Sequence, residues 1–305
     1  MMNGKVTEED KLEFCRIFEM PSSFSGYVGR LFSREEITTA LSAAGKTLSA
    51  PDYDETWLKK EYRRGFISKT GNPGEYRLNN LYGMLDVFAV SRKEEYDLLF
   101  TPEEKHRLDD WYFETYFKGL TPDENGRLTE DRVMTLQETI DRIMGDPRPV
   151  YLNYCDCRSL TGDCGKPRKT CLTYKDQINS FVDRGLSIPL TKEEAVRIVE
   201  EADREGLMHT TMSGGICNCC SDCCYLFRSQ RRAGTYGLWP ASSRIVSFDE
   251  SLCIGCGKCT ERCWMKVFSR QGKKIQMDDA RCVGCGLCVN TCPKQALTLV
   301  RRDDR

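Results

Sequence analysis

No long apolar run occurs in this chain. Nowhere in its 305 residues do about eighteen apolar side chains follow one another, which excludes a helix that spans a bilayer. Charge of one sign is also missing, because 45 Lys and Arg stand against 46 Asp and Glu. No net field therefore marks the chain for nucleic acid or an anionic membrane surface. The stretch Lys5 to Asp10 is acidic and no apolar segment of signal-peptide type follows it, so the sequence predicts a cytoplasmic protein. A Walker loop, a dinucleotide fingerprint, a nucleophile triad and a general acid–base pair are all absent, so the chain is expected not to bind NAD or ATP itself. What is abundant is cysteine. Eighteen thiols in a chain expected to sit in a reducing compartment point away from disulfides and toward metal.

Eight of them form two copies of one pattern near the end: Cys253, Cys256, Cys259, Cys263 and then Cys282, Cys285, Cys288, Cys292. Each copy reads C-x2-C-x2-C-x3-C, the spacing that wraps a loop around one face of an iron–sulfur cube and sends the last thiolate elsewhere. Thiolates suit iron because they are soft, charged donors. In two-cluster ferredoxins the fourth cysteine of each run serves the other cluster. The spacing therefore predicts one 4Fe-4S cluster on Cys253, Cys256, Cys259 and Cys292, and a second on Cys282, Cys285, Cys288 and Cys263. Gly255, Gly257, Gly284 and Gly286 lie between ligands, where the backbone must turn tightly and aim amides at sulfur. Zinc is the competing occupant, but zinc ribbons supply two separated C-x2-C pairs in place of a continuous run.

Residues of about 245 to 302 closely resemble the bacterial two-4Fe-4S ferredoxin family. The resemblance implies a βαββαβ fold with Arg244 to Asp249 and Ala296 to Arg301 as outer strands, and one-electron transfer as the activity. One position departs from that family: Pro293 follows Cys292 as expected, whereas Trp264 follows Cys263. The turn after Cys263 is therefore less constrained than a proline would make it.

Nine further cysteines lie in the middle of the chain. Cys155, Cys157, Cys164 and Cys171 fall in NYCDCRSLTGDCGKPRKTC, and Cys217, Cys219, Cys220, Cys223 and Cys224 in GICNCCSDCC. Their spacing matches neither the ferredoxin run nor C-x3-C-x2-C, since Leu226 and Phe227 stand three places beyond Cys223 and Cys224. Such a density of thiols predicts one or two further iron–sulfur clusters, or zinc. The adjacent pairs Cys219-Cys220 and Cys223-Cys224 favour iron–sulfur, because neighbouring side chains diverge and can serve two metals or a multinuclear one. Between the groups, Thr191 with Glu194 forms a capping box, Ala195, Val199 and Ala202 share a face, and Gly206 ends a helix over Thr191 to Glu205. That helix can act as a strut folding the second group back against the first. His209, one of two histidines, is either a packed ring or a ligand and proton carrier beside the metal. Arg158 and Lys166 either offset thiolate charge or lie on the surface. CDCRSLTGDCGKPRKTC, EEADREGLMHT and ICNCCSDCC together resemble a family of multi-cluster 4Fe-4S binding proteins of anaerobes, which implies electron handling.

The first third holds only Cys15 over residues 11–145, so an ordinary core organises it. Ser33 with Glu36 opens a helix bearing Ile37, Ala40, Leu41 and Ala44 on one face, closed by Gly45; Asp52 with Glu55 opens another with Trp57, Leu58 and Tyr62 inward. Gly65 to Ser68 and Glu75 to Leu78 alternate as strands about KTGNPG. Helix, turn, helix and hairpin resemble a winged helix. Over residues 51–80 six cations meet five anions, a net of only plus one, so nucleic acid is not the expected partner and docking or architecture is the expected role. Thr101 and Pro102 start a helix with Leu108, Trp111, Tyr112, Thr115 and Tyr116 as a core stripe, and another helix is expected over about Asp131 to Met144.

The expected fold class is α+β, in three parts: a winged-helix-like helical domain over 1–145, an irregular Cys-rich metal domain over 146–242, and a ferredoxin βαββαβ module over 243–305. The expected function is iron–sulfur electron transfer, or electron entry into an anaerobic oxidoreductase, with a redox protein as donor or acceptor. The alternatives are a reductase whose catalytic cluster lies in the middle domain, and a redox-responsive winged-helix regulator.

Overall fold

The computed structural model describes residues 5–162, 164–212 and 214–304; the first four residues, Asp163 of the cysteine-rich motif, Ser213 and Arg305 lie outside the described residues. Helix and antiparallel sheet are mixed, as the expected α+β class requires. Packing divides the chain into two compact units, Met1–Tyr112 with Asp176–Ser187, and Phe113–Lys175 with Ile188–Arg305. Sequence punctuation instead marks breaks after 145 and after 242. The two divisions differ because composition changes where cysteine begins, whereas packing follows the core.

In the first unit, α1 (Glu8–Ile17), α2 (Ser25–Leu31) and α3 (Arg34–Ala43) precede β1 (Leu48–Ser49), α4 (Glu55–Arg64), β2 (Ile67–Lys69) and β3 (Glu75–Leu78). The Ser33–Glu36 capping box is present, and Ile37, Ala40 and Ala43 are buried. Ala44, expected inward, is exposed because it lies past the last turn. At α4 the cap is Asp54, not Asp52: its carboxylate accepts from the amides of Thr56 and Trp57 at 2.9 and 3.0 Å. Gly65 caps α4 in a left-handed conformation, so the strand expected from Gly65 starts two residues later, at Ile67. The three strands pair antiparallel in the order β1-β3-β2. Then follow α5 (Leu81–Ser91), α6 (Lys93–Leu99) and α7 (Pro102–Lys118).

Phe14, Phe18, Phe32 and Phe66 form the aromatic centre of this unit, with ring centroids 4.5 to 6.0 Å apart. Against it lies a buried charge group: Arg64 pairs with Glu36, stands 3.8 Å from Glu61, and covers the Phe88 ring at 4.8 Å. Residues 176–187 are pinned to the same unit by side chains. Asp183 accepts from Lys69 Nζ at 2.7 Å and from the Tyr62 hydroxyl, and Arg184 donates to the carbonyls of Tyr62 and Ile67.

The second unit is built on six antiparallel strands in the order β4-β8-β9-β6-β5-β7. In chain order these are β4 (Val133–Met134), α8 (Leu136–Gly145), β5 (Val150–Tyr154), α9 (Asp156–Leu160), β6 (Lys169–Thr173), β7 (Ile188–Leu190), α10 (Lys192–Arg204), β8 (Met208–Met212), β9 (Gly215–Cys219) and α11 (Tyr225–Ala233). The irregular middle domain expected from sequence is thus a regular sheet; its strands are short and polar, so no apolar alternation announces them. The helix expected from about Asp131 begins at Leu136, because Val133 and Met134 pair with Thr210 and His209 and Thr135 takes the cap. The strut helix is present with its Thr191–Glu194 box. Helices α8 and α10 share one core with the sheet through Ile143, Val150, Leu152, Leu172, Ala195, Val199 and Ile216.

The remainder runs β10 (Arg244–Phe248), α12 (Lys258–Arg262), β11 (Phe268–Gln271), β12 (Lys274–Met277), α13 (Leu287–Thr291) and β13 (Leu297–Arg301), a β-α-β-β-α-β order. Strands β10 and β13 pair antiparallel from Arg244↔Arg301 to Phe248↔Leu297, and β11 pairs with β12. The outer strands are each one residue shorter than expected.

Burial pushes the Glu36 carboxyl up to about 7, with Arg64 opposing the rise and Glu61 adding to it. An unfolded Glu loses its proton near pH 4.3, so the stability from holding Glu36 neutral is complete below that value and is lost as pH rises through about 7. Glutamine also serves a capping box. Glu36→Gln is therefore expected to gain on the order of 2 kcal/mol over the parent at pH 8 and little at pH 4. Hydrogen exchange in α3 and α4 at the two pH values measures it, and an equal effect at both would refute the assignment.

Candidate metal centres

The terminal cysteines come from two loops that fold alike. In the first, Cys253, Cys256 and Cys259 wrap into α12, and Cys263 lies at its C-cap; in the second, Cys282, Cys285 and Cys288 wrap into α13, with Cys292 at its C-cap. One apolar-walled cavity is lined by Cys253, Cys256, Cys259 and Cys292, and another by Cys263, Cys282, Cys285 and Cys288. The structure thus brings together the two sets expected from the spacing, each with its fourth thiol from the other loop. Glycine is required where the loops touch their neighbours: a Cβ on Gly255 would lie 1.9 Å from the Lys273 carbonyl oxygen, and one on Gly284 would lie 2.1 Å from that of Arg244. Both residues also have positive φ.

Backbone amides face these sulfurs. The Gly255 amide donates to Cys253 Sγ at 3.4 Å, those of Met265, Lys266 and Val267 face Cys263, and that of Leu287 faces Cys285. Burial pushes the Cys259 thiol up to about 11 and the Cys285 thiol up to about 12. Apolar walls disfavour a lone thiolate, so a cation that the thiolates share is what this cavity accepts. Four soft donors with amides aimed at sulfur fit an iron–sulfur cube. Exposure separates the two sites, since Cys256 is exposed whereas Cys282 and Cys288 are buried.

The nine middle thiols are placed by strand alternation. Successive residues of a strand face opposite sides, so Cys171 on β6 and Cys217 and Cys219 on β9 point away from Leu172 and Ile216, which pack toward α10. Cys155 and Cys224 occupy the N-caps of α9 and α11, and Cys157 lies within α9. Six of these sulfurs form a closed ring in hydrogen-bonding reach of one another, in the order Cys155, Cys171, Cys217, Cys219, Cys224, Cys157 and back to Cys155. Cys219 and Cys224 are 3.3 Å apart. Hydrogen bonds from Cys217 and Cys224 hold the Cys219 thiol down at about 6. The other three, Cys164, Cys220 and Cys223, gather separately, with all three sulfurs within 4.8 Å of one another. The adjacent pairs are split: Cys219 and Cys224 belong to the ring, Cys220 and Cys223 to the trio.

Arg158 is 1 % exposed and interacts electrostatically with Cys155, Cys171 and Cys219 of the ring and Cys220 of the trio. Its guanidinium donates to the Asn218 carbonyl at 2.9 Å and to the Thr170 hydroxyl. The charge-offsetting role expected for Arg158 fits this position. Lys166 instead donates to the Glu205 carbonyl at 2.7 Å.

That carbonyl belongs to the C-terminal end of α10, where helices leave acceptors unpaired. Arg262 donates to the carbonyls of Arg204, at 2.7 Å, and Asp203, and Trp264 Nε1 donates to that of Gly206 at 2.6 Å. The residue that departs from the ferredoxin pattern therefore has a task in this chain: the indole fastens the C-terminal module to the sheet domain. His209, 1 % exposed, lies on the α10 side of the sheet. Its Nδ1 is 2.6 Å from Asn218 Oδ1, and its Nε2 is 3.7 Å from Asp203 Oδ1. Asn290 of α13 donates to the same Asp203 oxygen at 3.2 Å. His209 is thus a packed, bonded ring and not one of the groups gathered around the thiols. Sequence reading missed Asp203, Asn218 and Arg262, since polar residues at helix ends and between cysteines have no spacing signature; only the alternation C-N-C on β9 hinted that Asn218 faces away from its neighbours.

Residues 246–299 match the family model described as a 4Fe-4S dicluster domain. No curated protein and no solved structure matches the chain. Among the described residues, no helix is long and apolar enough to cross a membrane.

Arg262→Met removes two donors from the α10 carbonyl end and is expected to cost about 2 kcal/mol, with Trp264→Phe costing about 1 kcal/mol. Amides over residues 203–209 should exchange faster in both variants, while iron and sulfide content stay at the parent level. Unchanged exchange there would show that the fastening lies elsewhere.

Proposed function

We propose that the chain is an iron–sulfur electron-transfer protein, or the electron-entry subunit of an oxidoreductase, working in the cytoplasm of an anaerobic cell. Two 4Fe-4S clusters would be held by Cys253, Cys256, Cys259 and Cys292, and by Cys282, Cys285, Cys288 and Cys263. The observation that carries this reading is the pair of interlocked four-thiol cavities within residues that match a 4Fe-4S dicluster domain. Such clusters would supply one-electron chemistry; the chain's own residues set direction and access.

The first cluster is the outer one. Leu252 and Ile254, 48 % and 56 % exposed, stand beside exposed Cys256. Lys258 and Lys294 line the same cavity, the Lys273 backbone lies against Gly255, and the Arg270 guanidinium lies against Gly257. An apolar centre with a cationic rim suits a redox protein with an acidic face as donor or acceptor. The second cluster would lie inward. Its ligands Cys282 and Cys288 share one core with Cys219 and Cys224 of the sulfur ring. Cys155, Cys157, Cys164, Cys171, Cys217, Cys219, Cys220, Cys223 and Cys224 would hold the further metal, as iron–sulfur or zinc.

The three-part layout over 1–145, 146–242 and 243–305, with a winged-helix-like first part, remains our functional division. Docking or architecture suits that part better than duplex binding. Lys59, Lys60, Arg64 and Lys69 each pair with a carboxylate, which leaves little for phosphate.

Anaerobically purified protein is expected to contain about eight irons and eight labile sulfides in the terminal module, beyond any middle metal, and to bleach reversibly with dithionite. Cys292→Ser should remove about half of that iron. A colourless protein without inorganic sulfur would end this reading. Oxidation of the reduced protein by anionic iron(III)-EDTA is expected to slow with added salt, and Lys258→Glu with Lys294→Glu to slow it at low salt; acceleration by salt would exclude the cationic entry face.

A further inference from the structure

The nine middle thiols divide six and three, and among the described residues the smaller group offers three donors, one short of a tetrahedral sphere. We propose that Cys164, Cys220 and Cys223 hold a single soft metal ion whose fourth position is open to an exogenous small thiol. This rests on the reading that the middle thiols carry metal, and it assigns the trio a role apart from the ring.

Backbone direction separates the groups. Cys220 and Cys223 lie in the turn between β9 and α11, and consecutive side chains there diverge, so their neighbours Cys219 and Cys224 face the ring while they face Cys164. The turn is closed by the Cys223 amide, which donates to Cys220 Sγ at 3.4 Å. Buried Arg158 interacts with both groups and favours the thiolate form in each.

Spacing sets the nuclearity. A tetrahedral ion about 2.3 Å from each sulfur places its sulfurs about 3.8 Å apart. Thiolates on the corners of an iron–sulfur cube stand further apart, because the metal atoms themselves are separated. The trio lies within 4.8 Å, close to the single-ion value. Among the described residues, the groups gathered this tightly are the trio and Cys155–Asp156–Cys157; the terminal sets, which surround cavities, are not. Among the described residues no fourth His, Cys, Asp or Glu joins the trio. Three protein ligands with one exchangeable position is the arrangement of catalytic zinc sites, whereas structural sites are closed by four.

Access and charge select the ligand. Cys220 and Cys223 are buried but Cys164 is only half-buried and is followed by Gly165, whose φ is positive. A ligand therefore arrives past Cys164. Soft thiolate sites prefer soft partners, and Arg158 stabilises added negative charge. A thiol binding here would displace a metal-bound water and release its proton to solvent, leaving a metal–sulfur bond with no change of oxidation state.

Native mass spectrometry of the anaerobic holoprotein, with metal and labile-sulfide analysis and 2-mercaptoethanol as the probe, tests this. Cys164→Ala is expected to lose one metal ion and no sulfide, with terminal iron unchanged. The parent should take up one mercaptoethanol, and the variant none. Cys223→Ser should behave alike, and retained terminal iron shows that either variant has folded. Loss of several irons together with sulfide, an unchanged metal count, or a loaded parent that takes up no thiol would each overturn the proposal. A parent with full terminal iron but no middle metal overturns it together with the middle-metal reading. A parent that lacks terminal iron yet keeps the trio's ion and its thiol adduct sinks the electron-transfer reading alone.

Discussion

The second unit depends on how one helix ends. Carbonyls at and just past the end of α10 are met by donors from elsewhere: Lys166 of the cysteine-rich loop on Glu205, and Arg262 and Trp264 of the C-terminal module on Arg204 and Gly206. Two of the three are cations, which also suits the negative end of the helix dipole. Through these bonds the C-terminal module is fastened to the end of α10, on the sheet face opposite the sulfur ring. Asp203 in the last turn extends the arrangement, since Arg262, Asn290 and His209 all approach its carboxylate.

Much of the terminal site was legible from spacing alone, because four thiols separated by two, two and three residues can close on a cube in few ways. Swapping of the fourth ligand follows from the same constraint: the residue after a short helix points away from the loop that precedes it. The capping boxes at Ser33 and Thr191 were equally legible, being local hydrogen bonds with a fixed interval. Where local signals compete, the reading slipped. Asp52 and Asp54 both suit an N-cap, and only the turn closed by the Asp52 amide on the Ser49 carbonyl decides between them. The middle sheet was hidden because its strands are short and carry at most two branched apolar residues each, such as Val150 and Leu152, Leu172 or Ile216, with cysteine on the other face of β6 and β9, so the hydrophobic alternation is too brief to stand out. Trp264 registered as a departure from a pattern, whereas its purpose needed the three-dimensional position of Gly206.

Charge is handled in two ways. In the first unit two carboxylates share one guanidinium in an aromatic core, and desolvation is offset by keeping one of them protonated near neutrality. In the second unit the Arg158 guanidinium is placed among thiols; its two terminal nitrogens donate to a backbone carbonyl and a hydroxyl, while its buried Nε has no hydrogen-bond partner among the described residues. A buried arginine is costly unless negative charge gathers around it. Arg158 therefore makes sense as a counterion to thiolates, and its burial is itself a reason to regard the surrounding cysteines as ionised when loaded.

The crossing of Cys263 and Cys292 bears on maturation. Because each loop lends its last sulfur to its neighbour's pocket, an inorganic core of the kind proposed would be seated fully only once both loops had closed. A group held in the first pocket would engage Cys292 at the end of the second loop, and one held in the second would engage Cys263 at the end of the first. Filling of one pocket would therefore assist filling of the other, while loss of a single ligand such as Cys292 would empty only the pocket it lines.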